Sequence, residues 1–302
     1  MKNIKIRSVC ITAALSLLIC GCSEGQTDVQ DISGEISSAV SEEAGDTGSY
    51  SEDIFENIMT DRDIVYAKKK NYLQEETELK LDIYRPDSDT ESRRPVIIWI
   101  HGGGMFTGSK SESWEPVSVL APDFAHKGYV SVSIDYRLNP EWEETNKFSE
   151  TLKDAAEDVA SAVMWVRDNA EAYGMDENRI VLAGYSSGAE IADNFYFSNF
   201  LCDEKTVDKS GIKAVVSISG NRLFFDKTAC SGDENVKCLI LHGEADNINP
   251  LSDAETFLSQ LGDRGEMQTM PGNSHFWLDN DEQKAFLEEN ITAFLLREAI
   301  GE

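Results

Sequence analysis

The sequence predicts an α/β fold: a mostly parallel, eight-stranded sheet with helices on both faces and no large cap. Three observations carry this. Continuous apolar runs of strand length, such as Pro95 to Ile100 (P-V-I-I-W-I), have the character of central strands covered on both sides. They alternate with helical periodicities at crossover spacing. One of them, Arg179 to Ala183, passes through Gly184-Tyr185-Ser186-Ser187-Gly188 directly into a helical pattern, and such a turn marks the carboxyl end of a strand, where ligands of open sheets bind.

The first elements lie outside that sheet. Lys2, Lys5 and Arg7 precede an apolar run from Val9 to Ile19, too short to span a bilayer comfortably, so residues 1–21 read as a secretory leader. The run ends Cys20-Gly21-Cys22, which resembles a bacterial lipoprotein cleavage site with Cys22 as the lipidated residue; Cys20, preceded by bulky Ile19, fits less well. The expectation is an extracytoplasmic protein tethered to the bacterial cell membrane by a lipid on Cys22, with an ordinary leader as the alternative. Between Ser23 and Glu52 there are seven Ser and eight acidic residues, no Lys or Arg, and few large apolar side chains. Residues 22–52 are therefore expected to form a disordered tether ahead of a folded domain over 53–302. The chain has 27 basic and 55 acidic residues, a net charge of −28, or −31 once Lys2, Lys5 and Arg7 are removed. Nucleic acid is excluded as a partner by that balance.

Within the domain, Ile64 to Lys69 and Glu78 to Arg85 read as a leading antiparallel pair, the second placing Leu79, Leu81 and Ile83 on one face. Strands follow at Pro95 to Ile100, Tyr129 to Asp135, Arg179 to Ala183, Lys213 to Ser219, Lys237 to Leu241 and Glu266 to Met270. Helices are expected over Glu115 to Lys127, Thr151 to Tyr173, Ser187 to Asn199, Ser252 to Leu261 and Asp281 to Glu298. The longest carries Leu152, Ala155, Val159, Ala162 and Val166 at helical spacing. The short stretch between Gly220 and Lys237 leaves little room for a cap domain. Cys202, Cys230 and Cys238 allow one disulfide, Cys202 to Cys230 or Cys230 to Cys238, and one thiol. No metal-ligand spacing appears among them, and Asp279 to Glu282 lacks the glycine and distant glutamate of a calcium loop. No cofactor is called for.

The chemistry concentrates after the strands. In G-x-S-x-G, a sharp strand-to-helix turn holds the central residue in a strained conformation, and Gly184 and Gly188 remove bulk on either side. Ser186 then presents its hydroxyl at a helix N-terminus, where the N–H of Ser187 points toward developing negative charge. His101-Gly102-Gly103-Gly104 follows the third strand, and its glycines allow backbone N–H groups to approach a substrate oxygen unobstructed. A phosphate loop is excluded, because the Lys-Ser/Thr of that motif is absent.

A serine hydroxyl needs a base oriented by a carboxylate. Of four histidines, His101 is assigned to shaping the glycine loop, His126 to an exposed helix face and His242 to a structural hydrogen bond, leaving His275 after the eighth strand. Asp246, several residues beyond the seventh strand, is favoured over Glu244 as the orienting acid, with a turn-forming role as its alternative. The order Ser186, Asp246, His275 is that of serine hydrolases built on such sheets.

The motifs H-G-G-G-M-F-x-G-S-K, S-I-D-Y-R-L, G-Y-S-S-G-A, H-G-E-A-D and N-S-H-F-W together resemble an α/β-hydrolase of the carboxylesterase and hormone-sensitive-lipase-like group. The chain is most similar, from Ile64 to Leu296, to compact bacterial acetyl and feruloyl esterases. The resemblance implies an esterase in which Gly103 and Gly104 donate to the oxyanion and Asp135-Tyr136-Arg137 buttress their loop. Tyr185-Ser186-Ser187 stands where many relatives have Asp-Ser-Ala, and Met105 precedes the aromatic Phe106. Phe106, Trp114, Trp142, Phe276 and Trp277 are candidates to line the pocket. The expected substrates are short-chain or carbohydrate-linked acyl esters. An amidase or peptidase with the same triad is the competing reading, and a catalytically silent surface-binding protein a third.

Overall fold

The computed structural model describes residues 50–89, 91–198, 208–220 and 232–301. The leader, Cys22 and most of the tether therefore lie outside the described residues, as do Cys202 and Cys230. Tyr50 belongs to the stretch expected to be tether, yet it is buried, its ring on Tyr129 and under the Arg94 guanidinium. The folded domain thus includes Tyr50.

Among the described residues the strands are β1 Ile58–Lys70, β2 Glu76–Pro86, β3 Arg94–Ile100, β4 Val130–Ile134, β5 Met175–Tyr185, β6 Ile212–Ile218, β7 Lys237–Gly243 and β8 Gly265–Met270. They form one eight-stranded sheet in the order β1-β2-β4-β3-β5-β6-β7-β8. β1 runs antiparallel to β2 and β2 to β4, and all later pairings are parallel. From β3 the chain first builds outward through β4, then returns to place β5 on the other side of β3. That reversal opens a crevice at the carboxyl ends of β3 and β5.

The helices are α1 Pro116–His126, α2 Trp142–Thr145, α3 Phe148–Asp168, α4 Ala170–Tyr173, α5 Ser187–Phe197, α6 Leu251–Leu261 and α7 Asp281–Leu295. All of β3 is buried, and its pleat divides it between two cores. Val96, Ile98 and Ile100 join Leu152, Val159 and Val166 of α3 and Ile191 of α5; Ile97 and Trp99 join Leu120 and Phe124 of α1 and Leu287 and Ile291 of α7. Burying each such aliphatic side chain contributes roughly 1.5–3 kcal/mol, and this two-sided burial selects strand over helix for the short run.

The differences from expectation have local causes. β1 starts six residues early, at Ile58, because a register shift between Asp61 and Ile64 interrupts its alternation, with Asp63 at φ 58°. The long helix starts at Phe148 and breaks at Asn169, whose side-chain amide donates back to the Trp165 carbonyl. α7 ends at Leu295, where the chain widens into a wider turn over Leu296–Ile300.

Candidate active site

β5 delivers Ser186 to the crevice. Its backbone sits at φ 54°, ψ −121°, a conformation strained for any residue with a side chain, and α5 begins at the next residue. The turn holds because the flanking glycines are in backbone contact. A Cβ on Gly184 would lie 2.3 Å from the Gly188 carbonyl carbon, and one on Gly188 would lie 2.1 Å from the Ile100 oxygen. The Ser186 N–H donates to Ile218 O at 2.8 Å, fastening the turn to the end of β6.

Two neighbouring loops bring the other groups. His275 Nε2 lies 2.9 Å from Ser186 Oγ, and His275 Nδ1 lies 2.7 Å from Asp246 Oδ2. Asp246 Oδ1 accepts the N–H groups of Ile248 and Asn249 at 2.9 and 2.8 Å. Burial alone would raise the Asp246 carboxyl, but the hydrogen bond from His275 and the two amides outweigh it and hold it below the usual range. With Asp246 ionised, His275 donates from Nδ1, and Nε2 is left to accept the Ser186 hydroxyl proton. The two loops are tied by the Ala245 N–H, which donates to Asn273 O at 2.8 Å. Glu244 is turned away and exposed, accepting from Thr269 Oγ1 at 2.9 Å. His242 donates from Nε2 to Asn249 O at 2.8 Å, bracing the Asp246 turn from behind.

The glycine loop is fixed by its carbonyls. Gly102 O accepts from Tyr136 Oη at 3.0 Å and from His101 Nδ1 at 2.8 Å; Gly103 O accepts the N–H groups of Phe106 and Thr107 at 3.2 and 3.1 Å. In a trans peptide the N–H points opposite to the C=O. The N–H groups of Gly103 and Gly104 are consequently turned away from those partners, and among the described residues nothing accepts them or the N–H of Ser187. All three residues line one cavity of about 460 Å³ with Ser186 and His275. His101 is buried and stacked on Tyr136 with ring centroids 4.3 Å apart; burial pushes it down to about 4, so it stays a neutral donor. The Trp142 indole N–H donates to Gly104 O at 2.8 Å, and the Asn139 N–H to Met105 O at 2.9 Å. At the far end, the Lys110 N–H donates to Asp135 Oδ1 at 2.8 Å, and its ammonium reaches the fully buried Asp82 at 2.9 Å.

Several expected roles change. Arg137 does not support the loop: it forks onto Asp158 at 2.9 and 3.0 Å, pairing a carboxylate that α3 buries completely. Trp277 is not pocket lining but core, stacked on Phe286 and donating to Ser219 Oγ at 2.8 Å, while Phe106, Trp114, Trp142 and Phe276 do face the cavity. His126 is half-buried rather than exposed, donating from Nδ1 to Phe55 O at 2.6 Å. Cys238 is buried, with its thiol toward Asp193 Oδ1 at 3.8 Å. Two participants had no sequence signal, Glu115 and the indole bond of Trp142. Glu115 precedes a proline at a helix start, which reads as an ordinary first-turn acid, yet its Oε2 accepts the Gly102 N–H at 2.6 Å. Among the described residues no group of His, Cys, Asp and Glu could hold a metal ion.

A mostly parallel sheet whose strand order reverses at β3, with a serine on the β5 turn and an acid and histidine on the loops after β7 and β8, defines an α/β-hydrolase. The chain belongs to the BD-FAE family, whose model matches residues 81–237, just over half its length. It is similar to phenmedipham hydrolase of Pseudarthrobacter oxydans, 39% identical over 112 residues that cover 37% of this chain and 21% of that protein. Similarity to the para-nitrobenzyl esterase of Bacillus subtilis is 34% over 118 residues, covering 38% of this chain and 23% of that one. The chain spans between a fifth and a third of the length of the curated relatives it matches. Among solved structures, propionate-bound esterase 2 of Thermogutta terrifontis superposes with a TM-score of 0.61 at 23% identity, over 79% of this chain and 94% of that one. The same esterase phosphorylated by paraoxon gives 0.60 at 22% identity, with the same two coverages. At that identity the likeness establishes the shared fold.

Proposed function

We propose that the protein is a serine carboxylic ester hydrolase acting through an acyl-enzyme on Ser186. The observation that carries this is the hydrogen-bonded line Asp246–His275–Ser186 ending beside unpaired backbone N–H groups in one cavity. His275 Nε2 takes the hydroxyl proton as Ser186 Oγ attacks the ester carbonyl, and Asp246 stabilises the imidazolium through Nδ1–H. The N–H groups of Gly103, Gly104 and Ser187 receive the oxyanion; each such donor is worth about 10²- to 10³-fold in rate. His275 then returns the proton to the leaving alcohol, and a water activated by the same imidazole releases the acid. The largely aromatic wall of Phe106, Trp114, Trp142 and Phe276 suits a compact acyl or aryl group, and short-chain or carbohydrate-linked acyl esters are the proposed substrates.

Turnover of p-nitrophenyl acetate and labelling by a fluorophosphonate should both vanish in Ser186→Ala, with thermal stability nearly unchanged. Retained turnover in that variant rejects the assignment. A panel of acyl esters against aryl amides and dipeptide amides should show ester turnover dominating; preferential amide cleavage would favour the amidase reading.

Cys22 is proposed to carry a lipid that anchors the enzyme on the outer side of the cell membrane. Cys22→Ala should then move the protein from the membrane to the soluble fraction, and unchanged membrane association refutes the anchor.

A further inference from the structure

Beneath the glycine loop lies a carboxyl group for which the mechanism above has no role. Glu115 is fully buried; Oε2 accepts the Gly102 N–H at 2.6 Å, and Oε1 meets no partner. It is not among the cavity-lining residues, so it acts only through the loop. The peptide it holds is gripped at both ends, since the carbonyl of that unit, His101 O, accepts from Tyr136 Oη at 3.1 Å. Gly102 in turn is packed against the serine. A Cβ built on it would lie 3.2 Å from Ser186 Cβ and 3.0 Å from Tyr185 Cδ1. A displacement of this peptide is therefore passed to Ser186 on one side and to the Gly103 N–H on the other.

We propose that Glu115 is a positioning residue of the reaction, which, through the Gly102 N–H, sets the orientation in which Gly103 and Gly104 present their N–H groups to the oxyanion. This rests on the ester-hydrolase reading given above. The uncharged acid suits the position best. The titratable groups that face it are Glu112, Tyr136 and Tyr185, with no cation among them, and burial, aided by Glu112, raises its carboxyl to about 7 against the pull of the Gly102 N–H. Ionised, it sets a negative charge beside a loop whose task is to receive another; protonated, it remains an acceptor without that charge.

The test compares Glu115→Ala and Glu115→Gln with the wild type in steady-state hydrolysis of p-nitrophenyl acetate from pH 6 to 9, and in inhibition by a trifluoromethyl ketone whose hemiketal mimics the oxyanion. Glu115→Ala should lower kcat by about 10- to 100-fold and weaken the ketone in parallel, with KM within about twofold, as expected when donors that act in the transition state are misplaced. Glu115→Gln, neutral with the same acceptor, should restore kcat to within about threefold at pH 6 and hold it at pH 9 better than the wild type does. An Ala variant with wild-type kcat, or a Gln variant that does not recover kcat at pH 6, overturns the proposal. Should the Ala variant not fold, the Gln variant decides, and a pH profile superimposable on that of the wild type overturns it. A wild-type protein that hydrolyses no ester removes the functional reading and this inference together, whereas an active wild type with an indifferent Ala variant removes this inference alone.

Discussion

Replacing Glu115 by Gln should flatten the dependence of folding stability on pH. In the folded protein burial raises this carboxyl to about 7 from an ordinary value of 4.5. A carboxyl whose folded pKa lies above its unfolded one binds more protons in the native state between those two values. Stability therefore falls as pH rises through that window, and the full penalty is present above about 7. With about 1.4 kcal/mol per unit, the penalty amounts to about 3 kcal/mol, of which about 2 kcal/mol develops between about pH 5.5 and about pH 8. Urea unfolding at several pH values, with fixed ionic strength, measures it in wild type and variant.

The difference between the two curves isolates this group. Asp193, which burial raises to about 7, and Asp158, raised to about 6, slope the same way, whereas His101, held neutral by burial, slopes the other way below about 6.5. All three are common to both proteins and cancel. The Gln amide nitrogen would occupy the place of Oε1, which has no partner, and this adds a pH-independent loss of about 1–3 kcal/mol to the flattened variant curve. Parallel curves for the two proteins would show that Glu115 does not titrate in this window and would refute the reasoning.

Other perturbations follow from the same geometry. Tyr136→Phe removes the hydroxyl shared by His101 O and Gly102 O; kcat on p-nitrophenyl acetate should fall about tenfold or more with little change in KM, the signature of loosened transition-state donors. Ser186→Gly relieves a φ of 54° and should unfold at a higher temperature, by about 1 kcal/mol in stability, while losing all activity, as calorimetry and the ester assay can check together. Gly188→Ala places a methyl 2.1 Å from Ile100 O and 2.4 Å from His101 O, both backbone atoms that no rotamer change can clear. It should cost about 3 kcal/mol or more and abolish turnover, and a well-folded, active variant by circular dichroism and kinetics would contradict the packing described here.

What could be read from the residues alone, and what could not, divides along chemical lines. The serine turn was legible because two contacts of about 2 Å exclude every residue but glycine at positions 184 and 188, so the local string carries the constraint. The central strands were legible because burial on both faces leaves little room for charged side chains, and the polar residues they do carry, such as Ser131, Ser133 and Ser217, are small. β1 was read only from Ile64, since the irregularity around Asp61 to Ile64 breaks the period-two alternation on which strand reading depends. Phe276 and Trp277 looked equivalent in sequence, yet one is 47% exposed at the cavity and the other 1% exposed in the core. Nothing in two adjacent aromatic letters says which side of the chain faces the protein.

Lys127 and His126 show the same limit from the other direction. Their partners, the Phe55 carbonyl and the Asp53 carboxylate, lie more than 70 residues earlier in the chain, so nothing beside positions 126 and 127 announces them. Glu115 belongs with them. The groups that exchange protons and electrons are restricted to a few residue types, so they recur in strings that can be recognised. The groups that orient them need only supply one donor or acceptor at one point in space, which an acid, amide, hydroxyl or indole can do from many places in a chain. In this site an acid just ahead of α1, a phenol after β4 and an indole from α2 each perform that task on a different peptide of one loop. Their identities are set by the distance each must span in the folded protein, and the sequence acquires that information only once the loop and its supports have been brought together.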